Sequence, residues 1–321
     1  AMVPTVPVRP NKRLSIMLAF ILGAMLGCAI AVLLDYLDNT IKSPDDVQDK
    51  LGVPLLGALP KMKAGKGGQI AQFWDDPQGG FAEALRTIRT GVVLSGLDKP
   101  ARIIVVTSTV PGEGKSTVAL NLGAALAQME KTLVIGADLR RPSLAGKCGL
   151  TPNHSGLTHF VAGTASLDDC IEYLPELKMA VMPAGIIPPN PLEKISSKKF
   201  EEALRSLRDR FDRIVIDSAP VQAVSDALVL ASNADSVIYV VRADATSASR
   251  AHHGIASILA SNEPLTGVVL NQFDPGRADG YYGREYFQYS EYHQRGDCLL
   301  YTSDAADDNR VVGGGGGGGG G

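Results

Sequence analysis

Short β-branched apolar runs alternate with longer amphipathic stretches through the middle of the chain. Ile103-Ile-Val-Val106 is one such run, and others fall at 132–136, 179–183, 213–217, 236–242 and 266–270, with the first extending over 102–107. Runs this short, with consecutive apolar residues at their centres, read as strands buried on both faces, as in a parallel sheet. The stretches between them suit crossover helices. The pattern predicts an α/β fold: a mostly parallel sheet with helices on both faces. In such a sheet the site lies at the carboxyl ends of the strands.

The N-terminal part follows a different pattern. Leu14 to Leu34 carries no charge and matches the roughly 20 residues of a transmembrane helix. A cleaved leader is the rival reading. Its apolar core would be unusually long, although Leu26-Gly-Cys28 resembles a lipoprotein cleavage site. Gly23 and Gly27 have the spacing of a helix-packing motif, more often incidental in membrane spans. Beyond the span, Ser43 and Pro44 predict a helix start, as cap and first position. Gly79 to Gly96 brackets an amphipathic helix. The expected organisation is a proline-rich periplasmic remnant (1–13), one transmembrane helix (14–34), a juxtamembrane linker (35–75), a P-loop domain (76–275) and a tyrosine-rich tail (276–297). Residues 298–321 read as a sequencing artefact and are excluded from the fold: the stretch from Cys298 resembles a translated library adapter and Gly313–Gly321 an empty-signal run. Because Ala1 is not Met, the chain reads as an internal fragment.

Composition narrows the classes. The 321 residues carry 31 basic and 34 acidic side chains, a net charge of -3. That balance has no nucleic-acid signature, and none is expected as a partner. Cys28, Cys148 and Cys170 lack the spacing of zinc ligands and read as reduced or buried thiols. His252 and His253 read as surface residues.

Three segments carry the chemistry. After the run at 103–106, Ser108-Thr-Val-Pro-Gly-Glu-Gly-Lys-Ser-Thr117 turns on Pro111, Gly112 and Gly114 and opens a helix. Glycines let backbone N–H groups approach a phosphate, and a helix N-terminus favours anions. Lys115 is placed to reach β/γ-phosphates and the Ser116 hydroxyl to ligate Mg²⁺. Glu113 and Thr117 complete the loop. The usual pattern is incomplete, because Thr109 stands where its first glycine belongs. Leu133-Val-Ile-Gly-Ala-Asp138-Leu-Arg140 and Ile214-Val-Ile-Asp217-Ser-Ala-Pro220 each end a strand on an acidic exit, where a carboxylate can hold Mg²⁺ directly or through water. An Asp that merely caps a loop is the bland alternative for Asp217. Together the three imply ATP and Mg²⁺ as cofactors. An ATP site also argues against export of the chain.

These segments resemble the Walker A, A′ and B motifs of bacterial tyrosine kinases, the autokinases of capsule and exopolysaccharide co-polymerases. The resemblance covers Pro4 to Tyr292, with Gly185-Ile-Ile-Pro-Pro-Asn-Pro191 and Gly267-Val-Val-Leu-Asn271 as supporting pieces. It implies ATP-dependent autophosphorylation on tail tyrosines in trans, and control of polysaccharide polymerisation and export. It implies a homo-oligomeric ring, a tyrosine phosphatase partner, and a plasma-membrane location with the kinase domain cytoplasmic. Arg9, Lys12 and Arg13 conflict with that topology under the positive-inside rule; in the family an earlier helix also sets it. Lys115, Asp138, Asp217 and Arg140 are the expected catalytic residues, Ser116, Asp138 and Asp217 the metal ligands, and Asn271 a candidate for base recognition. Glu83, Arg86 and Arg89 share a helix flank; a solvated face is the ordinary reading, and the resemblance implies a subunit contact. Tyr281, Tyr282, Tyr286, Tyr289 and Tyr292 are the expected phosphoacceptors.

One departure stands out. The family's A′ motif carries two aspartates, and this chain has Gly136 in the first place. A phenol has a pKa near ~10, so a carboxylate that accepts its proton is useful at neutral pH. The alternatives are therefore an ATP-binding scaffold with impaired catalysis, or a partitioning-type P-loop ATPase. The signature Lys of the latter class is absent, Val110 standing in its place.

Overall fold

The computed structural model describes residues 12–61, 73, 76–96, 100–151, 154–274 and 276. It divides into residues 1–40 and the globular remainder from Ile41. In the first unit, helix α1 (Lys12–Leu37) carries a stretch, Arg13–Leu33, long and apolar enough to cross a membrane, with its apolar side chains exposed. The predicted span of 14–34 coincides with it.

The globular unit holds an eight-stranded sheet in the order β1-β8-β7-β2-β6-β3-β5-β4. In chain order the strands are β1 (Leu55–Pro60), β2 (Ile103–Ser108), β3 (Thr132–Gly136), β4 (Glu172–Leu174), β5 (Met179–Met182), β6 (Arg213–Asp217), β7 (Ser236–Arg242) and β8 (Leu265–Phe273). Every pairing is parallel except that of β4 with β5. The central strands are apolar on both faces for a visible reason. Ile103 and Val105 enter one core while Ile104 and Val106 enter the other.

Six of the eight strands lie where the apolar runs predicted them. The two others are edge strands with weaker signals. β4 is three residues long and largely exposed. β1 falls inside the segment read as a linker, and the structure instead places residues 41–61 in the globular unit. Helix α2 (Pro44–Leu51) begins there on a reciprocal capping box between Ser43 and Asp46, and ends at Gly52 with φ 66°. Pro44 occupies the first helical turn as expected.

Helix α3 (Gly80–Ser95) buries Phe81, Leu85, Ile88 and Val92 at helical spacing. Helix α4 (Lys115–Leu126) follows the phosphate loop and is buried from Val118 to Leu126. Gly123 permits that close approach, since a Cβ there would lie 2.3 Å from the Val134 side chain. The helix therefore packs closely on the sheet, against β2, β6 and β3, three neighbouring strands.

Candidate functional site

The site is built where those three strands end. β2 runs directly into the loop 108–114, whose two bends use Gly112 at φ 89° and Gly114 at φ 94°. A side chain at either would be strained, and at Gly114 a Cβ would lie 2.1 Å from the Asn271 amide. That amide donates to the Glu113 carbonyl at 2.8 Å. Asn271 thus holds the loop from beneath. The next residue, Gln272, lines the cavity.

Glu113 also turns inward. Its carboxylate accepts from Val110 N at 2.8 Å and from the Thr246 hydroxyl. Burial raises its pKa, and those hydrogen bonds oppose the rise. Its contribution is to the shape of the loop. The departure at Thr109 has a local explanation. The buried Tyr239 hydroxyl donates to Thr109 Oγ1 at 3.1 Å, so the missing glycine is replaced by a side chain with a partner.

Lys115 lies at the mouth of α4 and pairs with Asp138 Oδ2 at 2.9 Å. Asp138 Oδ1 accepts from Arg141 N at 3.0 Å, which fixes the loop after β3. Asp217 ends β6, flanked in the ladder by Val106 and Gly136. Its Oδ1 is buried with no hydrogen-bond partner among the described residues. Burial pushes its carboxyl up to about 6, against the pull of Lys115 and a hydrogen bond from Ser116. A buried carboxylate oxygen without a donor is costly unless a cation or water completes it. Two carboxylates and a hydroxyl are hard oxygen donors of the kind Mg²⁺ takes, usually alongside phosphate oxygens and water. No cluster of three or more acidic, His or Cys side chains with metal geometry exists among the described residues.

The strained carboxylate gives a pH-dependent prediction. Asp217 has a folded-state pKa above its unfolded one, so its neutral form favours the fold and its ionised form opposes it. That stability is present below the unfolded pKa and lost as pH rises toward and through about 6. With divalent ions chelated, Asp217→Asn should therefore be more stable than the unaltered chain at pH 8, by on the order of 2–3 kcal/mol, with a smaller gap at pH 5. Thermal unfolding at both pH values measures it; an equal gap would show that charge burial is not the cause.

The cavity in front of these groups has a volume of about 490 Å³. Pro111, Gly112, Gly114, Lys115, Ser116, Thr117, Asp138 and Arg140 line it. Arg140 is held by a two-pronged pair with buried Asp226, at 2.9 and 3.1 Å. That pair ties the loop after β3 to the chain beyond β6. Ser143 and Lys147, which the motifs did not point to, line the cavity too. They sit on a loop and a single helical turn after Asp138, and nothing in their spacing marks them in the sequence.

Gly136 lies beside Asp217 with an ordinary backbone conformation. A Cβ there would meet Ala184 N at 3.2 Å and Leu144 Cβ at 3.3 Å. The position is tight but not closed to a side chain.

Residues 101–267 match the AAA domain family. Over 211 residues the chain is 33% identical to the tyrosine-protein kinase YwqD of Bacillus subtilis, covering 65% of this chain and 89% of YwqD. The chain belongs to the bacterial tyrosine-protein kinase family. It is also 30% identical over 303 residues to the succinoglycan biosynthesis transport protein ExoP of Rhizobium meliloti, covering 85% of this chain. It spans only about two fifths of the length of such longer curated relatives, 38% in the case of ExoP. Among solved structures, the VpsO kinase domain superposes with a TM-score of 0.57 at 39% identity, covering 63% of this chain and all of that one.

The remaining expected residues fall elsewhere. Glu83, Arg86 and Arg89 lie on one flank of α3, but with partners inside the unit. Arg86 pairs with Glu83 at 2.9 Å, donates to the Pro77 carbonyl at 2.6 Å and lies over the Phe73 ring. Arg89 donates to the Ala125 carbonyl at 2.9 Å, in the last turn of α4. Tyr281, Tyr282, Tyr286, Tyr289 and Tyr292 lie outside the described residues. His252 and His253 are exposed, and Cys148 and Cys170 are free thiols.

Proposed function

We propose that this chain binds Mg·ATP in the cavity at the end of β2 and transfers the γ-phosphoryl group to tyrosines on the tail of a neighbouring copy. The observation that carries the reading is the meeting of Lys115, Ser116, Asp138 and Asp217 at three adjacent strand ends, in a chain of the tyrosine-protein kinase family. ATP supplies the transferable phosphoryl group, and Mg²⁺ the charge that shields it. Lys115 and the N–H groups of 112–116 bind the phosphates. Ser116, Asp138 and Asp217 hold the cation. Arg140 supports the site by fixing its loop. Asp138 is the one carboxylate of its motif left to orient the attacking phenol and accept its proton. The tyrosine oxygen bonds to phosphorus as the bond to the ADP oxygen breaks.

Tyr281, Tyr282, Tyr286, Tyr289 and Tyr292 are the acceptors in this reading. Each phosphate adds about -1.5 to -2 charge, so a phosphorylated tail repels its neighbours and loosens a ring of subunits. A tyrosine phosphatase resets the cycle. The helix Lys12–Leu37 anchors the chain in a bacterial plasma membrane with the kinase unit facing cytoplasmic ATP, and the cycle regulates polysaccharide polymerisation and export. ExoP, a transport protein of succinoglycan biosynthesis, supports that setting. Incubation with Mg·ATP followed by phosphosite mapping tests the reading: label on the five tyrosines supports it, and nucleotide binding without label refutes it. Gly136 favours a second reading, an ATP-binding scaffold in which transfer is slow.

Assembly has its own test. If the α3 flank is a subunit contact, Glu83→Ala with Arg86→Ala should shift the unphosphorylated protein to smaller species by light scattering. Arg89 is better left intact, since it caps α4. Unchanged mass in detergent would return the flank to an internal role.

A further inference from the structure

The chain leaves β5 beside the site. β5 pairs with β3 in parallel, Ile135 opposite Met182, so the loops after the two strands start side by side at one end of the sheet. Ala184 marks how close they come. Its backbone nitrogen would lie 3.2 Å from a Cβ at Gly136, and Gly136 is the ladder partner of Asp217. The loop that follows, Gly185-Ile-Ile-Pro-Pro-Asn-Pro191, gives no residue to the cavity wall.

Both ends of this loop are fixed. Leu157 N donates to the Pro183 carbonyl at 2.8 Å and Thr158 N to the Ala184 carbonyl at 3.0 Å. Gly185 turns at φ 81°, where a Cβ would meet the Thr158 hydroxyl at 2.5 Å. Pro188 and Pro191 are buried. Proline fixes its own φ and holds the residue before it extended. Between these anchors Ile186 and Ile187 are 61% and 62% exposed. Single exposed apolar side chains are ordinary on a protein surface. Two adjacent β-branched ones, on a braced loop beside a site, make a stiff apolar tip that loses little freedom when covered.

We propose that Ile186 and Ile187 dock the tyrosine-rich segment of a neighbouring copy, holding one of its aromatic rings while another enters the cavity. The proposal rests on the kinase reading above and names how the acceptor is held. The chemistry of the segment matches the tip. Residues 281–292 carry six aromatic side chains in twelve: Tyr281, Tyr282, Tyr286, Phe287, Tyr289 and Tyr292. A tyrosine ring offers an apolar face as well as a hydroxyl. From Tyr282 onward the tyrosines are four, three and three residues apart. A docked ring therefore has the next phenol within roughly 10–14 Å along an extended chain. The ring faces bind and the hydroxyl reacts, so docking survives loss of the hydroxyls.

The probe is a dye-labelled peptide of residues 277–297 with its five tyrosines replaced by Phe, which binds without accepting phosphate. Fluorescence anisotropy with the full chain in detergent should show binding. Ile186→Ser with Ile187→Ser should weaken it roughly 10-fold, the order expected for uncovering part of two isoleucines. With the tyrosine peptide and Mg·ATP, the same change should raise KM and leave kcat, the mark of lost binding rather than lost chemistry. Mg·ATP affinity should not move. Ile186→Leu with Ile187→Leu should stay within a few-fold of the unaltered chain. Absence of peptide binding by the unaltered chain, or equal binding by the Ser variant, overturns the proposal. So does a Leu variant as weak as the Ser variant, because loop shape would then be the cause. So does a Ser variant that keeps the peptide but changes mass by light scattering or loses lipid vesicles, since the tip then serves a subunit or membrane contact. Failure of the kinase reading shows separately, as tyrosine peptide bound by the unaltered chain and never phosphorylated.

Discussion

Replacing Lys115 by Met lowers the affinity for Mg·ATP by about 10²-fold or more, from a micromolar Kd, roughly -8 kcal/mol. Lys115 supplies a full positive charge at the start of a buried helix, and hydrogen bonds from ionised groups are the strong ones. Its loss also reaches the fold. Asp138 is 5% exposed and would lose the partner of its Oδ2. Removing one member of a buried ion pair typically costs about 3–5 kcal/mol, so Lys115→Met should unfold at lower temperature as well as bind poorly. The two effects separate in a double variant. Adding Asp138→Asn removes the stranded charge and should recover much of the stability while binding stays weak. Calorimetry and thermal unfolding on the three proteins decide it. If Lys115→Met binds Mg·ATP like the unaltered chain, the cavity is wrongly assigned.

Gly136→Asp should raise phosphate transfer to the tail tyrosines by ~10²-fold, the lower range for a positioned acid–base group. The backbone there suits any residue, so the cost is steric: Leu144 and the backbone at Ala184 must give by a few tenths of an ångström. Nucleotide affinity should change far less than the rate, because the loop N–H groups, Lys115 and Ser116 are untouched. Replacing Tyr281, Tyr282, Tyr286, Tyr289 and Tyr292 together with Phe should remove most of the label from the Gly136→Asp protein. A Gly136→Asp protein that binds ATP yet labels no tyrosine would make the scaffold reading the better one.

The central sheet was legible because burial on both faces leaves one kind of residue at each position. The same rule hid its edges. β1 is Leu-Leu-Gly-Ala-Leu-Pro, half-exposed and interrupted by Gly57 and Pro60, so its local sequence resembles a linker. Only its pairing with β8, some two hundred residues along the chain, makes it a strand. The site divides in the same way. Lys115, Ser116, Asp138 and Asp217 sit next to strand ends, and the strand–motif order gave them away. Thr246, Tyr239 and Asp226 act on the site through side chains brought in from distant segments. Asn271 was found from its motif, but its contact with the Glu113 carbonyl was not, since that contact joins segments far apart in the chain.

Thr246 carries a practical lesson about where this protein can be shortened. Its backbone carbonyl accepts from Ile41 N at 3.0 Å, Asp244 N donates to the Ile41 carbonyl at 2.9 Å, and its hydroxyl holds Glu113 in the phosphate loop. The first residue of the globular unit is thus two hydrogen bonds from Glu113 of the loop 108–114. A soluble version trimmed at the expected domain start, residue 76, would discard Ile41, α2 and β1 together. It would leave Thr246 loose, expose the edge of β8 to pairing with other chains, and report the chemistry of a slackened loop. The cut belongs ahead of Ile41.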